Sequence, residues 1–178
     1  MSSFDIAWER TGLAEGGYSN DLSDSGGETN WGITKRVARQ AGYMGPMREL
    51  SRERARKIGK RKYWDSLSLD EVARMSPSIA FEIFDTGFNM GQERAAEFLQ
   101  RSLNVFNRRG KDYPDIKVDG DIGPGTLGAL RSYIDRRGTK VLLKALNCLQ
   151  GAFYIKLAER REKDERFVRG WLDHRVSL

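Results

Sequence analysis

Apolar residues along this chain recur at the three- and four-residue spacing of helices, and the alternation typical of strands is nearly absent. The first helical face is formed by Phe4, Ala7, Trp8 and Thr11. Ser2 or Ser3 is available as its N-terminal cap, and Gly16 with Gly17 is expected to end it. The pattern therefore predicts a first helix whose last turn contains Glu15.

Two later helices carry recognisable start signals. Ser68 and Glu71 have the S-x-x-E spacing of a capping box. Ser76 followed by Pro77 predicts a cap and a first helical residue. The helix that follows has almost no polar face, and its apolar positions are Ile79, Ala80, Phe81, Ile83, Phe84 and Phe88. We predict that this helix is the buried centre of the fold.

The last long helical stretch starts at Thr139, with a predicted apolar face of Leu142, Leu146, Leu149, Phe153 and Leu157. Between Tyr18 and Ile33, by contrast, glycine, asparagine, aspartate and serine dominate, which predicts turns and at most a small hairpin. Thr34 is expected to cap a short helix directly after it. The predicted fold class is mainly α, with a small irregular β-hairpin and loop region near residues 18–33.

Charge and hydropathy narrow the classes of partner. The 178 residues carry a formal net charge of +6, with a sequence pI near 9.5. This charge favours a polyanion as the partner, and DNA, RNA, anionic lipid and bacterial wall polymer all fit.

No apolar run approaches the roughly 20 residues that cross a bilayer, so no transmembrane segment is predicted. The stretch MSSFDIAWERTG lacks a signal-peptide pattern, so synthesis in the cytoplasm is expected.

The chain has one cysteine, Cys148, and one histidine, His174. Cys148 lies in an apolar helical context and is predicted to be a buried, inert thiol. A zinc hydrolase normally needs two or three His or Cys ligands. A catalytic triad would have to use His174, near the C-terminus. These counts disfavour both classes of enzyme, and we expect neither a metal nor a cofactor.

The segment AEGGYSNDLSDSGGETNWGIT, residues 14–34, concentrates glycines, carboxylates and aromatic rings. Glycoside cleavage needs a protonated acid at the leaving oxygen and an anion or base near the anomeric carbon. Glu15 suits the first task, because the negative end of the predicted helix would raise its pKa above about 4.3. Asp24 is expected to face it across a cleft, and Thr29 to position a water. A solvated helix end and a turn-capping aspartate are the ordinary alternatives.

Sugar contacts are predicted at Tyr18, Asn20, Asn30, Trp31 and Asn89. The rings of Tyr18 and Trp31 offer flat apolar surfaces for pyranose rings, and the glycines allow the backbone to approach a sugar closely. For Trp31, packing in the core is the alternative.

The same segment closely resembles the signature of the glycoside hydrolase family 108 muramidases, which are found in bacteriophage endolysins and prophage-borne lysozymes. The motifs Glu-Gly-Gly-Tyr, Asn-Asp, Asp-x-Gly-Gly and Thr-Asn-x-Gly-Ile-Thr are all present. The resemblance implies a lysozyme-like fold and a catalytic Glu15. Leu22 and Ser25 replace prolines that are usual in the family, which removes no reactive group. The spacing of Glu15, Asp24 and Thr29 is similar to that of another group of phage lysozymes, with a final gap shorter by one residue.

The second half carries a further resemblance. FDTGFNMGQERAAEFLQRSLN and VDGDIGPGTLGAL resemble the peptidoglycan-binding segment that accompanies this family. For DGDIGPGT, a turn and helix start is the ordinary interpretation. Pro124 and Leu130, at the sixth and twelfth loop positions, argue against an EF-hand. We predict a catalytic muramidase lobe at residues 1–91 and a helical peptidoglycan-binding-like lobe at residues 92–178, packed as one unit.

The predicted function is that of a peptidoglycan hydrolase, an endolysin that cleaves the β-1,4 bond between N-acetylmuramic acid and N-acetylglucosamine and so lyses bacteria. A lytic transglycosylase acting on the same bond and a non-catalytic wall-binding protein are the alternatives. A nucleic-acid-binding module is a rival suggested by RERARKIGKRK, but no nucleic-acid motif is present, so no nucleic acid is expected as a partner.

The expected partners are peptidoglycan glycan strands and a separate holin-type membrane pore, and a monomer is expected. The resemblance places the enzyme in the host bacterial cytoplasm after synthesis and at the wall in the periplasm after release. The basic C-terminal stretch is KLAERREKDERFVRGWLDHRVSL, residues 156–178. It contains an apolar stripe formed by Phe167, Val168, Trp171 and Leu172. This stretch is interpreted either as a helix that docks on the core or as a contact with the anionic wall or outer-membrane surface.

Overall fold

Helices account for most of residues 1–11, 16–20 and 27–176, which are the residues that the structure, a computed structural model, describes. The chain forms two units, Met1–Ser66 and Leu67–Leu178. Between the helices of the first unit lies one short two-stranded antiparallel sheet. The mainly α fold class with a small hairpin is thereby confirmed, whereas the functional division at residue 91 stays a prediction.

The first helix, α1 (Ser3–Arg10), begins at a capping box that the sequence partly predicted. The Ser2 hydroxyl accepts from the Asp5 amide at 3.2 Å, and the Asp5 carboxylate accepts from the Ser2 amide at 3.0 Å. The helix ends at Arg10, earlier than predicted, because Thr11 caps it and donates its hydroxyl to the Trp8 carbonyl at 2.9 Å. Glu15 lies outside the described residues.

Aromatic packing forms the core of the first unit. The ring of Phe4 lies 5.8 Å from Trp8 and 5.6 Å from Trp64, centroid to centroid. Helix α3 (Arg52–Gly59) continues into a π-helical turn, Lys60–Trp64, that carries Trp64 into this cluster. Gly59 allows the close approach, because a Cβ there would lie 2.2 Å from the Trp8 ring.

The hairpin and the segment after it complete the first unit. Strands β1 (Thr29–Asn30) and β2 (Ile33–Thr34) pair antiparallel, with Thr29 opposite Thr34 and Asn30 opposite Ile33. Helix α2 (Lys35–Gln40) follows at once, and Thr34 caps it by accepting from the Val37 amide at 3.3 Å, as predicted. A 3-10 turn, Met47–Glu49, lies between α2 and α3.

The second unit is built around one buried helix. Its helices are α4 (Leu69–Met75), α5 (Pro77–Met90), α6 (Gln92–Phe106), α7 (Pro124–Arg137), α8 (Lys140–Arg160) and α9 (Glu165–Arg175). Helix α5 packs against α4, α6 and α8. Ser76 caps α5 through the Ile79 amide at 3.3 Å with Pro77 as the first helical residue, so this predicted start is confirmed.

The predicted capping box at Ser68 is wrong. Ser68 has a left-handed backbone, with φ of 52°, and its side chain makes no capping hydrogen bond. The Glu71 carboxylate instead pairs with Arg74 at 2.6 Å on the helix surface. The neighbouring Leu67 and Leu69 are both buried, so tertiary packing sets the direction of the chain into α4.

Polar residues occupy part of the buried faces of α5 and α8. On α5, Ile79, Ala80, Ile83 and Phe84 are buried as predicted, but Phe81 and Phe88 are only partly buried. The buried polar residues of the two helices are Glu82, Asp85, Thr86, Asn147 and Gln150. On α8, Leu142 and Leu146 are buried, whereas Leu149, Phe153 and Leu157 are half-buried.

Two further properties of α8 differ from expectation. Cys148 is exposed, so its predicted burial is wrong. By length and composition alone, α8 is long and apolar enough to cross a membrane. The helix nevertheless packs against α5, α6 and α9 and buries Asn147 and Gln150, which is how a core helix of a globular unit behaves.

Candidate active site

Glu15 and Asp24, the two carboxylates predicted for catalysis, lie outside the described residues. Their roles therefore stay predictions. The structure does describe residues 16–20 and 27–35, which flank them on both sides. The geometry of these flanking residues is the framework on which the predicted site is built.

The residues that follow Glu15 in sequence are tied to the hairpin. The Ser19 amide donates to the Thr29 carbonyl and the Thr29 amide to the Ser19 carbonyl, both at 2.8 Å. This isolated bridge adds Ser19 to the side of β1. The Thr29 hydroxyl donates to the Gly27 carbonyl at 3.0 Å, and its oxygen can still accept a hydrogen bond. Thr29 is thus held in place by Ser19 and by Gly27.

Trp31 occupies a turn with an unusual backbone. Trp31 and Gly32 have φ of 51° and 73°, the left-handed conformations of a type I′ hairpin turn. For a bulky residue this conformation costs roughly 1–3 kcal/mol, and tertiary contacts must stabilise it. The indole Nε1 donates to the Leu50 carbonyl at 2.8 Å, which fixes the half-buried ring. Contact of Trp31 with a sugar stays a prediction.

The three asparagines predicted to contact sugar have different environments. Asn30 is 4% exposed, and its amide donates to the Met47 carbonyl at 2.7 Å, so in this conformation the side chain is not available to a sugar. Asn20 is exposed. Asn89 is exposed on α5, in the second unit, and donates to the Asp85 carbonyl at 2.8 Å.

A chain of charged contacts beside Thr29 was not predicted. The Tyr18 hydroxyl donates to the Glu28 carboxylate at 3.1 Å, and Lys35 pairs with the same carboxylate at 2.8 Å. The Arg48 guanidinium lies 4.4 Å from the centre of the Tyr18 ring. The hydrogen bond from Lys35 lowers the pKa of Glu28, which keeps this carboxylate ionised.

These contacts fix the orientation of the Tyr18 ring. Its hydroxyl is held by Glu28 and one face of the ring is covered by Arg48. Glu28 could have been noticed in the sequence as a carboxylate directly before Thr29. Arg48 carries no such signal, because its contact joins residues far apart in the chain.

A second group of titratable side chains is buried in the second unit. Glu82 and Asp85 are each 6% exposed, and burial raises the pKa of both, that of Glu82 to about 8. Arg175 pairs with the Asp85 carboxylate at 3.2 Å, and the Gln150 amide donates to it at 3.0 Å. The fixed contacts of Asp85 indicate a structural network that joins α5, α8 and α9.

Within the described ranges, residues 1–11, 16–20 and 27–176, no group of three or more His, Cys, Asp or Glu side chains could hold a metal ion.

Comparisons with known proteins bear on both halves of the chain. Residues 8–91 match the model of the family described as Glycosyl hydrolase 108, and residues 94–176 match that of the Predicted Peptidoglycan domain. These matches confirm both resemblances seen in the sequence. Among solved structures, the chain is similar to Brucella abortus SagA, with 22% identity, a TM-score of 0.69, and coverage of 98% of this chain and 96% of that one. At this identity the likeness concerns the fold alone. No curated protein sequence matches.

Proposed function

We propose that this peptidoglycan hydrolase, whose residues 8–91 match the glycosyl hydrolase 108 family model and whose residues 94–176 match the Predicted Peptidoglycan domain, is an N-acetylmuramidase. The bond cleaved is the β-1,4 bond between N-acetylmuramic acid and N-acetylglucosamine. The observation that carries the proposal is the presence of all four family motifs between Glu15 and Thr34. Within these motifs, hydrogen bonds hold Thr29 and Tyr18 in fixed positions.

In the proposed reaction water is added across the glycosidic bond. Glu15 protonates the leaving glycosidic oxygen as the bond to the anomeric carbon breaks. Asp24 positions or activates the water, or stabilises the oxocarbenium-like transition state. Thr29 helps to position the water, and Tyr18 presents its ring to the sugar. The ionised Glu28 acts indirectly, by holding the Tyr18 hydroxyl.

The test is a zymogram on purified peptidoglycan together with mass analysis of the released fragments. Glu15→Gln should lose at least about a hundredfold in rate while remaining folded, as loss of a general acid requires. Asp24→Asn should cost less and Thr29→Ala less again. Glu9→Gln, an exposed glutamate of α1, is the matched control and should leave the rate unchanged.

Each outcome of this test has a distinct meaning. Fragments lighter by one water, with an anhydro-sugar end, would identify a lytic transglycosylase instead. Near-normal activity of Glu15→Gln would refute the assignment of the acid. Binding to peptidoglycan without any fragment release would indicate a non-catalytic wall-binding protein.

We further propose that the enzyme acts as an endolysin, in agreement with the resemblance of residues 14–34 to phage muramidases. It would be a monomer with a catalytic lobe at residues 1–91 and a wall-contacting lobe at residues 92–178. It would reach the wall from the host bacterial cytoplasm through a membrane pore made by another protein. Expression in bacteria with and without a pore-forming protein tests this role, since lysis should occur only when the pore is present. Light scattering on the purified chain tests the monomer.

A further inference from the structure

The second unit contains an open groove of about 680 Å³ that has no part in the proposed catalysis. The groove lies where α6, α7 and α8 meet, and its lining is formed by Val105, Phe106, Arg108, Tyr133, Arg137 and Val141. Its volume is in the range of roughly 300–1,000 Å³ that is usual for sites of small ligands. We call it the arginine groove.

The arginine groove has more positive than negative charge. Arg137 pairs with Asp112 at 3.2 Å, and Arg108 approaches the same carboxylate at 3.7 Å. The side chains of Arg137 and Arg108 are 43% and 57% exposed, whereas that of Asp112 is 11% exposed. One carboxylate therefore faces two guanidinium groups, which leaves donors of both arginines available to an anion from solution.

Apolar side chains line the rest of the arginine groove. Val105 is 75% exposed and Val141 is 54% exposed, although both are aliphatic. Phe106 stacks on Tyr133 with ring centroids 5.7 Å apart, which makes a rigid wall between them. The groove thus combines exposed methyl groups with a guanidinium pair, a combination that suits a ligand carrying both small apolar groups and carboxylates.

The backbone at Arg108 is strained. Arg108 and Arg109 both have left-handed conformations, with φ of 58° and 60°. Non-glycine residues pay for such conformations, at roughly 1–3 kcal/mol each, and they occur often at functional sites. The strained turn places Arg108 at the end of α6, beside the groove.

We propose that the arginine groove binds the stem peptide of peptidoglycan through its free carboxylates. The stem peptide carries alanine methyl groups and several carboxylates, whereas the glycan backbone presents hydroxyls and amides. The inference rests on the proposed function in one respect, since it takes peptidoglycan as the substrate. It gives the second half of the chain a specific ligand: the peptide, while the first half cleaves the glycan.

The experiment is a titration of the full-length protein with the free stem tetrapeptide, followed by NMR of the backbone amides. A tetrapeptide with all carboxylates amidated is the matched ligand control. The acidic peptide should change the backbone amide chemical shifts of the residues that line the groove. The amidated peptide should bind at least about tenfold more weakly, because it has lost the charge-assisted hydrogen bonds. Equal affinity for both peptides would overturn the proposal.

Variants separate a specific site from general attraction to a basic protein. Arg108→Gln should weaken binding of the acidic peptide about tenfold, and because Arg108 is mostly exposed this variant should remain folded. Arg137→Gln should act in the same way. Arg131→Gln removes the same charge from an exposed position on α7 outside the lining and should bind like the wild type. An equal loss in Arg131→Gln, or no loss in Arg108→Gln, would refute the arginine groove as the site.

Failure of this inference and failure of the proposed function give different results. Fragments from a cut glycan, together with no binding of the stem peptide, would overturn only the arginine groove. Binding that depends on Arg108 without any glycan fragments would overturn only the muramidase.

Discussion

Asn30 lies next to Thr29 in the motif, yet its side chain is used inside the protein. Its amide donates to the carbonyls of Met47 and Leu50, at 2.7 and 3.4 Å. These bonds anchor the hairpin to the segment before α3. Asn30 therefore helps to hold in place the hairpin that carries Thr29, the predicted catalytic threonine.

We predict that Asn30→Ala destabilises the protein by about 1 kcal/mol, because it removes the buried hydrogen bonds to the Met47 and Leu50 carbonyls, which keep the Leu50 amide and the Trp31 indole as their other donors. Urea denaturation followed by circular dichroism measures the change. Asn20→Ala, at an exposed position close in sequence, is the control and should change the free energy of unfolding little. An unchanged stability of Asn30→Ala with a raised KM would contradict this role and favour sugar contact.

Glu82 gives a second prediction at the residue scale, about pH. Burial raises its pKa to about 8, so the folded chain keeps a proton on Glu82 at pH values where the unfolded chain has lost it. The contribution to stability is complete below the unfolded pKa and is lost as pH rises towards about 8. Each pH unit in this window costs at most about 1.4 kcal/mol.

Glu82→Gln should remove this slope, because glutamine is neutral at every pH. The measurement is the free energy of unfolding of both proteins between about pH 5 and pH 8, the window set by the raised pKa. The variant should gain stability relative to wild type as pH rises. Parallel curves for the two proteins would mean that Glu82 titrates normally. Glu71→Gln, at the surface of α4, controls for the general effect of removing a glutamate.

At the scale of elements, the C-terminal helix α9 is held by defined contacts. The ring of Trp171 lies 5.0 Å from that of Tyr154 on α8, and Arg175 pairs with Asp85 on α5. A Cβ on Gly151 would lie 3.6 Å from both Leu172 and Val176, so α9 approaches α8 closely there. These contacts are those that the docking interpretation of the basic C-terminal stretch predicts.

Arg175→Gln should therefore destabilise the protein by about 1–3 kcal/mol, since it leaves the buried Asp85 carboxylate without its cation. Arg169→Gln removes an exposed arginine from the same helix and should have little effect. Thermal unfolding of the two variants beside wild type gives the comparison. The double variant Asp85→Asn, Arg175→Gln should recover part of the loss, because no buried charge is left unpaired. Equal stability of Arg175→Gln and Arg169→Gln would mean that α9 is not docked through this pair.

Local chemistry explains which elements could be predicted from the sequence. The caps at Thr34 and Ser76 and the hairpin depend on nearby residues, and they were predicted correctly. The start of α4 was not predicted correctly, because the burial of Leu67 fixes the left-handed backbone conformation of Ser68. The end of α1 was missed because paired glycines further on gave the stronger stop signal.

The candidate site shows the same division. Its motif and the family could be recognised from residues 14–34, since the residue types at that spacing are specific. The contact of Arg48 with Tyr18 and the burial of the α5 carboxylates could not be predicted, because both depend on packing between residues far apart in the chain. The apolar pattern of α5 predicts a wholly apolar buried face, and it does not indicate that Glu82, Asp85 and Thr86 are buried as well.

At the scale of the whole molecule, most of the net charge comes from one region. Residues 101–144 contain ten Lys and Arg against five Asp, a net +5 of the total +6. This region includes the arginine groove, but it also contains exposed basic residues outside the lining, among them Arg109 and Arg136. Long-range attraction to an anionic wall is therefore expected mainly from the second half of the chain.

Binding to purified sacculi should weaken as salt rises from about 0.1 M to about 1 M, because the Debye length falls from about 10 Å to about 3 Å. Cosedimentation at each salt concentration measures the affinity. The double variant Arg109→Gln, Arg136→Gln should reduce this salt dependence, while binding of the stem tetrapeptide in the arginine groove stays as in wild type. If that variant lost tetrapeptide binding, the arginine groove would attract its ligand only through the long-range electrostatic potential of the protein's net charge. Salt-insensitive binding by wild type would show that short-range contacts, and not net charge, hold the enzyme on the wall.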